Sequence, residues 1–228
     1  MRGESGPLCE AVLLRRAQPI KHIVGLIEIK MYQFPIEPKK IVARIKRYER
    51  ELRREYEKFH FISDDFGKRY LLGPLYMMSG DLVGAIKSFE WFEQTFSDDI
   101  GEPFHYLCWT LALYRSGDIV GAKHKLLQTM LSNLYLIPHL LGMEQDKLNI
   151  WHGSNIAEKD YLQYAPIEIL KLWDEQALQW AKTTYHSPEF RQVRTRYIEI
   201  GEQLIHEPVG PKRSQLVKEA FELRASHG

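Results

Sequence analysis

The chain has 228 residues, 44% of them apolar, which is enough for one continuous core without disulfide staples. Thirty-one basic residues against thirty acidic ones leave a net charge of +1, which argues against a molecule committed as a whole to a polyanion. Two cysteines, Cys9 and Cys108, cannot build a disulfide framework and suit a reducing compartment.

Residues 1–35 form an N-terminal arm without clean periodicity. Ala11-Val12-Leu13-Leu14 is cut short by Arg15 and Arg16, so it is not read as an export signal. No window approaches the roughly 18 apolar residues that a membrane-crossing helix needs. The expectation is a cytoplasmic protein without membrane contact. Val24 to Ile29 is either a strand or a docked apolar arm, and Met31 is an alternative start.

Ile41, Ile45, Tyr48, Leu52, Tyr56 and Phe59 then recur at three- and four-residue spacing, which predicts a helix over Pro38–Phe59 with one apolar stripe. Nine basic side chains between Lys39 and Lys58 face five acidic ones from Glu37 to Glu57, a local charge of +4. Ser63, Asp64 and Asp65 offer capping oxygens for a second helix that runs through Tyr70 to Met78 and stops at Ser79-Gly80-Asp81. Leu82 to Phe96 is helical by the spacing of Ala85, Ile86, Phe89, Phe92 and Phe96, and Pro103 suits the first turn of a fourth helix.

Ser79-Gly80-Asp81-Leu82-Val83-Gly84-Ala85 returns 37 residues later as Ser116-Gly117-Asp118-Ile119-Val120-Gly121-Ala122, with a Leu-to-Ile exchange as the single difference. Helix, Gly-Asp turn and helix at such a period predict stacked helical hairpins. Leu72-Gly73, Tyr76, Gly80-Asp81, Ala85-Ile86 and Phe89 fall at the spacing of the tetratricopeptide repeat, and residues 66–135 resemble that family. Trp109-Thr110 in place of Leu-Gly, and Pro74 inside a helix, depart from its pattern; Pro74 is expected to kink the helix or remove a hydrogen bond. The resemblance implies an all-α fold, a right-handed superhelix of antiparallel hairpins over residues 36–142. Gly73, Ala85 and Ala122 are expected to let the helices approach closely.

Asn133 to Gly142 is bent at Pro138 and is similar to the segment after the last helical pair in some bacterial tetratricopeptide-like proteins. Residues 143–228 read as a helical extension, with starts at Asn155, Pro166, Asp174, Ser187-Pro188-Glu189 and Pro211. Phe190, Val193, Tyr197, Ile200 and Leu204 form one apolar face, and Leu216, Val217, Ala220 and Phe221 another.

Candidate chemistry yields to plainer readings. Glu57/His60 and Glu102/His105 have the spacing of metal-ligand pairs on a helix, but two isolated pairs are coincidence at this composition. Cys108 among Leu107, Trp109 and Leu111 reads as an apolar filler. His152-Gly153-Ser154-Asn155 reads as a turn and cap, with a contact loop or an active-site loop as the alternatives. The five tryptophans (Trp91, Trp109, Trp151, Trp173 and Trp180) sit at core positions. No catalytic residue, metal or cofactor is assigned.

The family resemblance implies a concave groove lined by Tyr70, Pro74 and Met77 from the first hairpin and by Phe104, Leu107, Leu111, Tyr114 and Arg115 from the second. Tyr70, Met77, Phe104, Leu111, Tyr114 and Arg115 are the expected contacts for a protein or peptide partner, or for a second copy of the chain. The groove either takes an apolar segment or is filled by the C-terminal helices, and an exposed apolar strip of that length favours filling. The expected function is a non-catalytic interaction scaffold. The alternative is a nucleic-acid-associated regulator that uses the basic helix 39–58, which the interleaved glutamates argue against.

Overall fold

The computed structural model describes residues 33–64 and 67–225, so the arm before Gln33, with Cys9, and the Asp65 cap lie outside the described residues. Among the described residues there is no strand, and the chain is all-α. No helix there is long and apolar enough to cross a membrane.

Helix α1 (Pro38–Phe59) buries Ile41, Ile45 and Leu52 against α2 (Lys68–Ser79). Phe34, just before it, joins the same core. The outer end of the expected stripe does not follow: Tyr56 and Phe59 are about half exposed, 54% and 53%, because α1 runs past the helix it packs on. Entry into α2 is fixed by Asp64, whose carboxylate accepts the backbone N–H groups of Lys68 and Arg69 at 2.8 and 2.7 Å. Burial pushes the Asp64 carboxyl above its ordinary range, and the two N–H donors oppose that shift.

Helices α2 and α3 (Leu82–Thr95) form one antiparallel hairpin, and α4 (Pro103–Ser116) and α5 (Ile119–Ser132) form the next. The duplicated heptapeptide makes the same hinge twice. Gly80 and Gly117 take φ of 80° and 88°, a left-handed conformation that ends each first helix. Asp81 and Asp118 then accept Gly84 N–H and Gly121 N–H at 2.8 and 2.9 Å, capping each second helix. Helix α4 packs on both α2 and α3, so the two hairpins stack directly.

The stacking needs Gly73. A Cβ there would stand 2.2 Å from Phe89 Cε1, so the absence of a side chain lets α3 close on α2. The Phe89 ring in turn stacks on Trp109 of the second hairpin at 5.2 Å.

Beyond α5 a short helix α6 (Leu136–Leu140) contains Pro138. The expected helix start at Asn155 is two 3-10 turns, Asn155–Ala157 and Lys159–Tyr164, whose first segment Asn133 pins by donating to the carbonyls of Ile156 and Glu158. Then follow α7 (Ile167–Leu170), α8 (Glu175–Tyr185, capped by Asp174), α9 (Pro188–His206, capped by Ser187) and α10 (Pro211–Ala225). Helices α9 and α10 pair with each other and rest on α5. Their contact is clamped by Arg196 on Glu219 at 2.6 Å. Phe221 is 44% exposed rather than core.

Candidate functional site

The inner face of the hairpins, where α2 and α4 lie side by side, is covered by residues 155–185. Tyr161 stacks on Phe104 at 5.3 Å and donates its hydroxyl proton to Glu102 Oε1 at 2.9 Å. Helix α7 lies against α2 through a fully buried Ile169. Trp180 stacks on Tyr114 at 4.7 Å, and Arg115 donates to the Leu172 carbonyl and pairs with Asp174.

The six residues expected as partner contacts are placed as follows. Phe104 and Leu111 have no exposed surface and Met77 is buried, all three inside the core. Tyr70 turns its hydroxyl to Asp99 at 2.7 Å, within a cluster in which Arg69 bridges Asp99 and Asp64. Tyr114 and Arg115 are engaged by α8 and its cap. Apolar surface of that extent is more stable against the chain's own aromatics than against water, so this side of the hairpins is largely covered, with Arg115 still exposed.

The candidate chemical groups also hold structural places. Glu102 caps α4 by accepting His105 N–H at 2.8 Å. His105 is fully buried, and its Nδ1 lies 3.0 Å from the Tyr70 carbonyl. That carbonyl is the one Pro74 leaves without an intrahelical donor, since Pro74 has no N–H to offer four residues on. A carbonyl can only accept, so Nδ1 carries the proton and Nε2, which has no partner, is bare. Burial holds His105 down to about 4. Cys108 has no exposed surface, and burial pushes its thiol well above the ordinary range.

His60 is the left-handed C-cap of α1 and packs edge-on against Tyr56. Ser154 precedes the first 3-10 turn without a side-chain capping bond, so the turn of the turn-and-cap reading is present and the side-chain cap is not. Trp151 departs from its expected core position. It is 42% exposed, its backbone N–H donates to the Gly201 carbonyl at 3.0 Å, and its ring lies under the Arg213 guanidinium. Among the described residues no group of three or more His, Cys, Asp or Glu is placed to hold a metal ion.

Two cavities stand out among the described residues. The smaller, about 350 Å³, lies under the C-terminal end of α10 and holds Lys125. That ammonium pairs with Glu93 at 2.6 Å and sits 3.6 Å from the centre of the Trp109 ring. Burial holds its pKa below the ordinary lysine value.

The larger, about 770 Å³, is an open groove on the outer side, between α1 and α3. Leu52, Leu72, Tyr76 and Trp91 form an apolar floor, while Arg53 and Lys87 stand on opposite rims. Glu49, on the α1 rim, accepts the Tyr76 hydroxyl at 2.5 Å. Ser88 lines the groove with 8% exposure, and its hydroxyl has no partner among the described residues.

Sequence reasoning missed this groove. The available signal was the α1 stripe, which extends to Tyr56 and Phe59 beyond what one neighbouring helix can cover. No family model, curated protein or solved structure matches the chain.

Proposed function

We propose that the chain is a non-catalytic binding scaffold built on tetratricopeptide-type hairpins, with a protein as its partner. The observation that carries this reading is the outer groove, an open apolar-floored surface in a fold whose inner face is filled by its own C-terminal segment. The side chains with catalytic potential support it from another direction. His105, Cys108 and Glu102 are buried in structural roles, and a nucleophile or base needs access to a substrate.

A photo-crosslinking residue introduced into the full chain at Tyr56, Lys87 and Arg115, one position at a time, tests the proposal in the source cell. Protein adducts at Tyr56 or Lys87, with none at Arg115, are the expected result. A chain that forms no protein adduct at any of the three positions would overturn it.

A second reading draws on α1 itself. Glu49 is held by Tyr76, Glu55 accepts Ser63 N–H at 2.8 Å, and Glu51 pairs with Arg47 and Lys68. The exposed side of the helix carries Lys39, Lys46, Arg50, Arg53 and Arg54 against an exposed Glu57, while the three partnered glutamates are half-buried. This favours a polyanion such as nucleic acid as the alternative partner. It requires retention of duplex RNA or DNA that weakens steeply with added salt and falls when Arg50 and Arg54 are neutralised.

A further inference from the structure

We infer that the outer groove between α1 and α3 receives an acidic amphipathic helix presented by a protein partner. This deepens the scaffold reading above and rests on it.

The shape of the groove selects a helix. Its α3 wall runs from Gly84 to Thr95, which at 1.5 Å per residue is roughly 16 Å, about three helical turns. Both walls are helices whose backbone N–H and C=O groups are already bonded within each helix, so an extended peptide would find no ladder to join. Recognition must come from side chains seated on an apolar floor, the mode in which a helix presents residues at i, i+3/i+4 and i+7. Leu52, Leu72, Tyr76 and Trp91 supply that floor.

The rims select the charge. Arg53 and Lys87 are exposed on facing walls, and Arg50, Arg54 and Lys46 continue the basic surface along α1. Glu49, the carboxylate lining the groove, keeps its negative charge while accepting the Tyr76 hydroxyl, so the lining holds two cations against one anion, and Glu57 and Glu90 stand outside it. A helix with acidic flanks and an apolar stripe matches both features, and a basic one meets repulsion along both rims.

The same observations disfavour the chain's own N-terminal segment. Ile20 to Met31 is apolar but carries Lys21 and Lys30 against Glu28, the wrong sign for these rims.

The test uses the full chain and a synthetic peptide of about 15 residues, with leucine at the i, i+3, i+7 positions and glutamate elsewhere. A lysine-for-glutamate version is the control, and Trp91 fluorescence with calorimetry is the readout. The acidic peptide is expected to bind, to gain helicity on binding, and to lose at least tenfold in affinity against the double variant Arg53→Glu/Lys87→Glu. Both positions are exposed, and unchanged circular dichroism of the variant shows that it has folded. The lysine peptide is expected to show the opposite preference.

Absence of binding by the acidic peptide, equal binding of the two peptides, or an affinity indifferent to the double variant would each overturn the inference. So would tighter binding of a peptide of residues 20–31, which assigns the groove to the chain's own segment. Self-association abolished by the double variant assigns it to a second copy, and preferential binding of duplex RNA assigns the rims to nucleic acid. The parent reading fails separately, on the crosslinking experiment: adducts without peptide binding in the groove leave the scaffold intact and remove only the acidic helix.

Discussion

Replacing His105 by leucine and Pro74 by alanine, singly and together, isolates one hydrogen bond that spans the two hairpins. In the native chain the Tyr70 carbonyl has no donor within its own helix and takes one from His105 at 3.0 Å. His105→Leu leaves that carbonyl orphaned in the core, a penalty of about 1–3 kcal/mol on top of any packing loss against Phe89 and Phe92. Pro74→Ala restores an N–H four residues on, so the carbonyl regains an intrahelical partner. His105→Leu should therefore be less damaging in the alanine background. Urea unfolding of the four proteins should give a coupling energy of about 1–2 kcal/mol. Additivity within about 0.5 kcal/mol would refute the assignment of His105 as the replacement donor.

The same residue predicts a pH dependence whose sign follows from burial. The unfolded histidine titrates at its ordinary 6.5, and the folded one is held down to about 4. Between these values the unfolded chain binds a proton that the folded chain refuses, so stability is fully present above pH 6.5. It falls as the pH drops toward 4 and levels off below. At 1.36 kcal/mol per unit the loss amounts to about 2–4 kcal/mol, and it should be absent from His105→Leu. Equal acid slopes for the wild type and the variant would show that His105 is not the group responsible.

Three other outcomes follow from the packing. Gly73→Ala should lower stability by about 2–3 kcal/mol in thermal or urea unfolding, because the added methyl meets the Phe89 ring. Gly80→Ala and Gly117→Ala should each lose only about 1–2 kcal/mol, and by similar amounts, because both are strained by backbone angle with no side chain in the way. Cys108 should resist a thiol reagent in the native protein and react at the rate of unfolding, followed by absorbance with Cys9 replaced by serine.

The hairpins were legible in the sequence because their determinants are local. A left-handed glycine, a capping aspartate and the apolar spacing around them all lie within one heptapeptide, so two copies announce two hinges. Pro74 was legible as a disturbance, but its remedy was not, since His105 lies 31 residues away and is recruited only when α4 stacks on α2. Glu102 and His105 show the same limit. Their spacing fits a metal pair and a helix cap equally well, and the cap appears once Glu102 is seen accepting both His105 N–H and the Tyr161 hydroxyl.

The outer groove was the least legible part, for a reason that concerns charge as much as shape. Counted along the chain, four glutamates of α1 are interleaved with its nine lysines and arginines. In the folded chain Glu49, Glu51 and Glu55 are drawn to Tyr76, Lys68 and the Ser63 backbone, because each sits on the side of α1 that faces α2 or its entry loop. Arg47 pairs with Glu51, while Lys46, Arg50, Arg53 and Arg54 are exposed on the outward side. A helix already basic in composition thus shows that charge chiefly on its outward side. The aromatic residues of the C-terminal segment act in the opposite sense on the inner face: Tyr161 and Trp180 occupy the surface the repeat pattern left apolar. Long-range packing therefore closes the face that local pattern marks for binding and opens, in charge and in volume, the one it does not.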